Sequence, residues 1–308
     1  MRVGIIGLGD IARKAYLPIL MNRGDITPVL CTRNEKVLEE ISRKYRAPES
    51  IQRIEDLIDR NIDAAFIHAA TESHGEIAEE LLRQGIHVYV DKPIAYHYED
   101  AQRIVELAEE KNRVLMVGFN RRFAPMISQL KAQGQANLIL IQKNRLYLPD
   151  QIRRFIFDDF VHVVDTLRFL LPGEVEEVQI QGRAEDDQLY HVVLTLSGKG
   201  YTAIGMMNRD NGAAEEVVEY MHPGNKWVIR DLNQGVRYHQ GDEIHFKFGD
   251  WDSVLYRRGF YQIIDHFLQS VKGGTASSIS PRDALKTHEL CERIVAKLED
   301  VQAFQNPL

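Results

Sequence analysis

A chain of 308 residues, 44% hydrophobic and 27% charged, has enough apolar material for a sizeable core and length enough for two domains. Its formal charge of −7 gives no basic footprint for nucleic acid, because the pairs Arg121-Arg122, Arg153-Arg154 and Arg257-Arg258 are scattered rather than clustered. Cys31 and Cys291 stand far apart without metal-type spacing, and neither a leader peptide nor an apolar span of about eighteen residues is present, so the expectation is a cytoplasmic chain with reduced thiols and no membrane partner.

The apolar, β-branched run of Val3, Ile5 and Ile6 suits a buried parallel strand, and Gly7, Gly9 and Ala12 follow at G-x-G-x-x-[GA] spacing before a helical stretch over 10–22. In such a turn Gly7 allows the tight bend and Gly9 lets main chain approach a pyrophosphate. Ala12 is small enough to pack the new helix on the strand, which aims the helix's first N–H groups at phosphate. Ile26–Cys31 reads as a second strand and Glu35–Tyr45 as a helix, completing a β-α-β unit.

A short segment at Ser50-Ile51 and a helical stretch Glu55–Arg60 lead to the strand Ala64–Ile67, which ends in Thr71-Glu72-Ser73-His74. The helix Ile77–Leu82 stops at Gly85, and the strand Ile86–Val90 runs into Asp91-Lys92-Pro93. The helix Tyr98–Lys111 and the strand Val114–Val117, closed by Gly118, finish the alternation. The sequence therefore predicts a doubly wound parallel α/β domain over 1–118 and a second domain over 119–308. Ligands of open α/β sheets bind at the carboxyl ends of strands, where Asp91-Lys92-Pro93 stands.

After Gly118 the pattern changes. A helix over Pro125–Gln133 and a strand over Asn137–Leu146 are followed, from Val175 to Phe248, by strand-like runs: Val178–Gln181, Tyr190–Leu196, Tyr201–Met206, Glu216–Met221, Lys226–Ile229, Val236–His239 and Ile244–Phe248. Helices over Tyr256–Lys272 and Pro281–Glu299 end the chain. This is an α+β domain with an open, mostly antiparallel sheet. Within it, Phe157–Arg168 read as a helix places Asp158, His162 and Asp165 at i, i+4 and i+7 on an otherwise apolar surface. Such a stripe fits a cleft wall, where a carboxylate beside a histidine can tune the ring for proton transfer. No further element completes a metal ligand set, so no metal is expected.

The G-x-G-x-x-A turn, the strand-terminal Asp91-Lys92-Pro93 and the run Val117-Gly118-Phe119-Asn120-Arg121-Arg122-Phe123 together resemble the glucose-fructose oxidoreductase and inositol dehydrogenase family, written Gfo/Idh/MocA. Val90–Pro93, Gly118–Pro125 and Asp158–Asp165 place the resemblance in its MviM-like branch, over essentially the whole chain. The resemblance implies an N-terminal Rossmann domain, a C-terminal substrate-binding and oligomerisation domain, and an NAD(P)-dependent oxidoreductase acting on a hydroxyl or carbonyl carbon of a small substrate, a sugar, polyol or derivative. Lys92 becomes the electrostatic and hydrogen-bonding partner, before a Lys-Pro bond often cis in the family; His162 becomes the acid/base and Asp158 an orienting carboxylate.

The implied cofactor set is Gly7, Gly9, Asp10, Ile11, Ala12, Thr32, Arg33, Ala70, Thr71, His74, Asp91, Lys92 and Asn120. The second strand ends in Thr32-Arg33-Asn34, without the carboxylate that accepts from a ribose 2′-OH, so NADP(H) is the expected preference, with NAD(H) accepted. One position departs from the family: Phe160 stands where the motif Asp-x-Gly-x-His has glycine, which argues for a narrowed pocket or a shifted helix start and against a substrate as large as inositol. Two other readings are a dinucleotide-binding sensor without turnover, for which Phe160 is the best support, and an NAD-assisted glycosidase. An open antiparallel sheet needs cover, so a homodimer or larger oligomer through that sheet is expected.

Overall fold

Short, mostly apolar strands, buried along most of their length, build the first sheet. In the computed structural model, which describes residues 1–273 and 279–305, this sheet comprises β1 (Arg2–Ile6), β2 (Thr27–Cys31), β3 (Glu49–Ile51), β4 (Ala64–Ile67), β5 (His87–Val90) and β6 (Leu115–Val117). All pairs are parallel, in the order β3-β2-β1-β4-β5-β6. The order reverses between β1 and β4, which makes the carboxyl ends of these two strands the switch point of a doubly wound sheet. Val3, Ile5, Val29, Leu30, Ala65, Phe66, Val88 and Met116 are fully buried in its core.

The second sheet comprises β7 (Leu138–Asn144), β8 (Asp150–Gln151), β9 (Glu177–Glu185), β10 (Gln188–Gly198), β11 (Tyr201–Asn208), β12 (Glu215–His222), β13 (Asn225–Arg230), β14 (Gln234–His239) and β15 (Asp242–Lys247). Their order is β15-β14-β13-β12-β7-β11-β10-β8, with β9 also on β10. Only β7 and β11 among the described strands of this sheet run parallel; the other pairs are antiparallel. The helix Val161–Leu170 lies so close to β11 that a Cβ at Gly205 would stand 2.6 Å from Leu167 and 2.7 Å from Val163. That close seat fixes the level of His162 on the unit.

Two expectations are corrected. The helix drawn over Tyr256–Lys272 is divided into Val254–Arg257 and Phe260–Gly273 by Gly259, whose φ of +80° favours glycine and whose Cβ would meet the Asn120 carbonyl oxygen at 2.3 Å. The units are also not sequential: one consists of Met1–Gly118 with Phe260–Lys286, the other of Phe119–Gly259 with Thr287 onward. The physical reason is the apolar face of Phe260–Gly273. Phe267 packs edge-on against Phe66 and Tyr89, with ring centroids 5.1 and 5.6 Å apart, while Lys272 reaches Asp25 at 2.7 Å and Asp265 pairs with Arg23. No helix among the described residues is long and apolar enough to cross a membrane.

Candidate active site

The first unit offers two stations. At the end of β1, Gly7 adopts φ +83° and its missing Cβ would lie 2.5 Å from the Ala69 amide nitrogen, so both conformation and space demand glycine. Gly9, by contrast, has nothing within 4 Å of a built Cβ. Helical residues 10–20 follow, including a π-helical turn over Ala12–Tyr16, and Ala12 is fully buried. Asp10 is exposed and paired with Lys14 at 2.8 Å, and Ile11 is 39% exposed. Arg13 braces the turn from behind, donating through Nε to the Leu8 carbonyl (3.1 Å) and gripping Glu40 at 2.8 and 2.9 Å. The open main chain around Gly9 fits the pyrophosphate of a dinucleotide.

At the end of β2, Thr32 is half-buried and Arg33 exposed, and Asn34 caps the helix Glu35–Tyr45 by accepting from the Val37 N–H at 3.2 Å. The Arg33 guanidinium has no hydrogen-bond or ion-pair partner among the described residues. A half-buried Thr hydroxyl beside an uncommitted fork suits a ribose 2′-phosphate. Ala70 is exposed and Thr71 half-exposed in the turn after β4.

The second station is Lys92 at the end of β5. The Lys92-Pro93 bond is cis, and Lys92 is half-exposed while Asp91 and Pro93 are buried. Asp91 Oδ1 accepts from the Lys92 N–H at 2.8 Å. His74, assigned from the sequence to the cofactor, is instead buried with both ring nitrogens engaged: Nδ1 lies 2.8 Å from the Pro93 carbonyl oxygen and Nε2 3.0 Å from that of Ala69. The imidazole thus clamps the Lys92-Pro93 turn to the loop after β4, because a ring with both nitrogens on main-chain carbonyls has none left for a ligand.

Beneath this turn lies a buried polar cluster that the sequence reading missed. Tyr16 and Tyr89 share a hydrogen bond of 2.8 Å, His68 stacks on Tyr16 with centroids 3.8 Å apart, and His68 Nδ1 is 3.9 Å from Asp91 Oδ2. Burial, with the nearby His74 adding to it, pushes the His68 ring down to about 3, so the ring is neutral. Burial likewise raises the Asp91 carboxyl, against the pull of Lys92 and His74. Both His68 nitrogens lack a hydrogen-bond partner among the described residues. A His immediately after the apolar β4 run was the available signal; periodicity assigns such a residue to the strand end and says nothing of its partners.

In the second unit, helical residues 152–170 run through a π-helical segment, Phe155–Phe160, into Val161–Leu170. The π turn changes the phase of the expected stripe. Asp158 and His162 remain half-exposed, with Asp158 3.9 Å from Arg154, but Asp165 is 2% exposed and leaves the surface altogether. It forms a bidentate pair with Arg122 at 2.8 and 2.6 Å and accepts from Thr287 Oγ1 at 3.0 Å. Phe160 is fully buried, so its ring belongs to the core and does not narrow an open surface. Asn120 is also inward, its Nδ2 donating to the Arg258 carbonyl at 2.8 Å.

Two further buried ion-pair systems escaped the sequence reading. Arg121 holds Glu216 at 2.5 and 2.8 Å, and Asp159 pairs with Lys143 and, at 3.0 and 3.2 Å, with Arg145. Burial opposes the Glu216 charge, yet Arg121, by charge and hydrogen bond, and then Lys143 bring its carboxyl down to about 2.

A doubly wound sheet with an open glycine turn at its switch point, a strand-terminal lysine and a histidine-bearing helix over a mixed sheet define a dinucleotide-dependent oxidoreductase of two-unit build. The chain belongs to the Gfo/Idh/MocA oxidoreductase family, with an NAD-binding Rossmann fold: that family's model matches residues 1–119, and a model for the YceM-like C-terminal domain matches residues 125–239. It is 33% identical over 305 residues to YceM of Salmonella typhimurium, covering 97% of each chain. It is 25% identical over 309 residues to the myo-inositol 2-dehydrogenase of Thermotoga maritima, covering 92% of each. The solved structure of the dehydrogenase MviM from Clostridium difficile superposes with a TM-score of 0.93 at 34% identity, covering 96% of this chain and 99% of that one.

Proposed function

We propose that the chain is a dehydrogenase of a secondary alcohol, or reductase of the matching carbonyl, on a sugar, polyol or derivative, with NADP(H) preferred to NAD(H). The substrate class follows the inositol dehydrogenase among its relatives. The observation that carries the reading is Lys92, a half-exposed amine on the end of a buried strand whose direction is held by Asp91 and by the His74 clamp. A bound nicotinamide dinucleotide supplies or accepts the hydride. Lys92 donates to the substrate oxygen and stabilises negative charge developing there, and His162 moves the proton of that oxygen. Asp158, four residues before His162, orients the substrate or the ring.

The test is a panel of sugars, inositols and keto-sugars with both cofactors, read in both directions by the near-ultraviolet absorbance of the reduced nicotinamide. With a substrate found, His162→Ala and Lys92→Ala each lower turnover at least ~10²-fold with cofactor affinity within a fewfold, and Asp158→Asn does less damage. Loss of cofactor binding in either alanine variant overturns these roles.

The reading extends to assembly and setting. Leu138, Leu140, Ile204 and Met206 lie half-exposed on the sheet face opposite the helix Val161–Leu170, and this face suits a second copy of the chain. A monomer by light scattering at micromolar concentration refutes that. Two buried free cysteines suit a cytoplasmic setting.

A further inference from the structure

The charges facing the helix from the second sheet do not balance. Lys143 on β7 and Arg145, one residue past its end, both reach Asp159, and Glu216 is the cross-strand partner of Lys143 on β12. Arg121 from the turn Asn120–Phe123 joins them, and Arg258 lies near enough to influence proton binding at both Glu216 and Arg145. Four cations, Arg121, Lys143, Arg145 and Arg258, therefore meet two carboxylates, Asp159 and Glu216.

Neighbouring charges cancel among themselves: Arg209 is 3.8 Å from Asp150, and Arg154 is 3.9 Å from Asp158. Glu215 takes the Asn144 amide on the opposite face, and Asp231 accepts the Glu216 N–H. The excess sits where ligand can reach it. The Arg145 side chain is 41% exposed, and Arg258 is half-buried with no hydrogen-bond or ion-pair partner for its guanidinium among the described residues. Glu216, whose charge Arg258 favours, is already gripped by Arg121, so the half-buried Arg258 fork has donors left for an anion. Asp159, which Arg145 grips, precedes His162 by three residues, just before the π-helical segment passes into the helix Val161–Leu170.

Resting on the dehydrogenase reading above, we propose that the substrate carries an anionic substituent, a carboxylate or a phosphate, held by Arg145 and Arg258 on the unit that carries His162. Guanidinium forks recognise either oxyanion by paired, charge-assisted hydrogen bonds. Arg121 and Lys143, each already committed to a carboxylate, supply the surrounding positive field.

The experiment is calorimetric titration of inorganic phosphate and of acetate into the full chain saturated with NADPH, for wild type, Arg145→Gln and Arg258→Gln, with Arg145→Lys as the charge-preserving control. Saturable binding in wild type, weakened at least ~10-fold in both glutamine variants and mostly retained in Arg145→Lys, supports the site. The tighter of the two anions names the oxyanion. Absence of saturable binding in wild type, or binding in both glutamine variants as tight as in wild type, overturns it. Lys143 keeps Asp159 paired in Arg145→Gln, and unchanged melting of the variants shows that the fold is intact. Failure of the dehydrogenase reading shows separately, as no binding of NADPH by fluorescence; the anion titration then runs on the same chain without it.

Discussion

His74 Nδ1 meets the carbonyl oxygen of Pro93 at 2.8 Å, nineteen residues further along the chain, while the same ring's Nε2 meets the carbonyl of Ala69 at 3.0 Å. The pair ties the base of Lys92 to the end of β4, making His74 a positioning residue. Replacing His74 with alanine is expected to lower kcat ~10-fold while leaving the NADPH dissociation constant within about twofold, and asparagine, which keeps one amide donor, recovers part of the loss. A fall in cofactor affinity at unchanged kcat would return His74 to the cofactor.

The neutral, buried His68 makes stability pH-dependent. Its folded pKa of about 3 lies below the ordinary value of 6.5, so below pH 6.5 the unfolded chain binds a proton that the native chain refuses. The stability from this group is complete above pH 6.5 and is lost as pH falls toward 3, amounting to about 2 kcal/mol between pH 7 and pH 5. Asp91 acts in the opposite sense, since its raised carboxyl favours the native state at low pH and that contribution fades as pH rises through its folded pKa. Urea unfolding of wild type and His68→Phe at both pH values isolates the His68 part; an identical pH difference in the two proteins would show that the ring is protonated in the native state.

On the proposed reading, the cofactor preference rests on Arg33. A charge-assisted contact to a 2′-phosphate contributes about 1.5–3 kcal/mol, roughly ten- to a hundredfold in affinity. Wild type is expected to bind NADPH at least ~10-fold more tightly than NADH, and Arg33→Ala to remove most of the difference without weakening NADH. A preference that survives the substitution shows that Arg33 does not read the phosphate.

Asp165 is a stability residue. Asp165→Asn leaves the Arg122 charge buried without its carboxylate, which costs about 3–5 kcal/mol, whereas the double change Arg122→Met/Asp165→Leu recovers most of that loss. Urea midpoints of the three proteins check this. An Asp165→Asn variant as stable as wild type means that Thr287 and solvent suffice for Arg122.

What was legible in the sequence follows from period and punctuation. The strands at Val3–Ile6 and Ala64–Ile67 carry only apolar residues and glycine between clear turn signals, and later runs such as Val178–Gln181, Val236–His239 and Ile244–Phe248 alternate apolar with polar residues between turn residues, so existence and order were readable. The glycine turn and Lys92 were readable because their chemistry is local. His74, Asp165 and Phe160 were misplaced for one shared reason: their partners, Pro93, Arg122 and the core around the π turn, are set by tertiary packing. A six-residue π segment at 155–160 alters helical phase without any residue type that announces it. The ion pairs of Arg121 and Lys143 join residues 95 positions apart or lying on different elements, and no spacing rule reaches that far.

The placement of Phe260–Gly273 on the sheet of the first unit gives the polypeptide an order of completion. A ribosome that has released residues 1–118 has made every strand of the first sheet but not the helix whose Phe267 covers Phe66 and Tyr89. The first unit begins first but waits for its helix through the synthesis of some 140 residues of the other, with an apolar flank uncovered, and the second unit in turn is completed only by Thr287 onward. Cutting the gene after Gly118 therefore yields an aggregation-prone fragment, not a portable nucleotide-binding module, and a linker at either crossing must preserve the return of the chain.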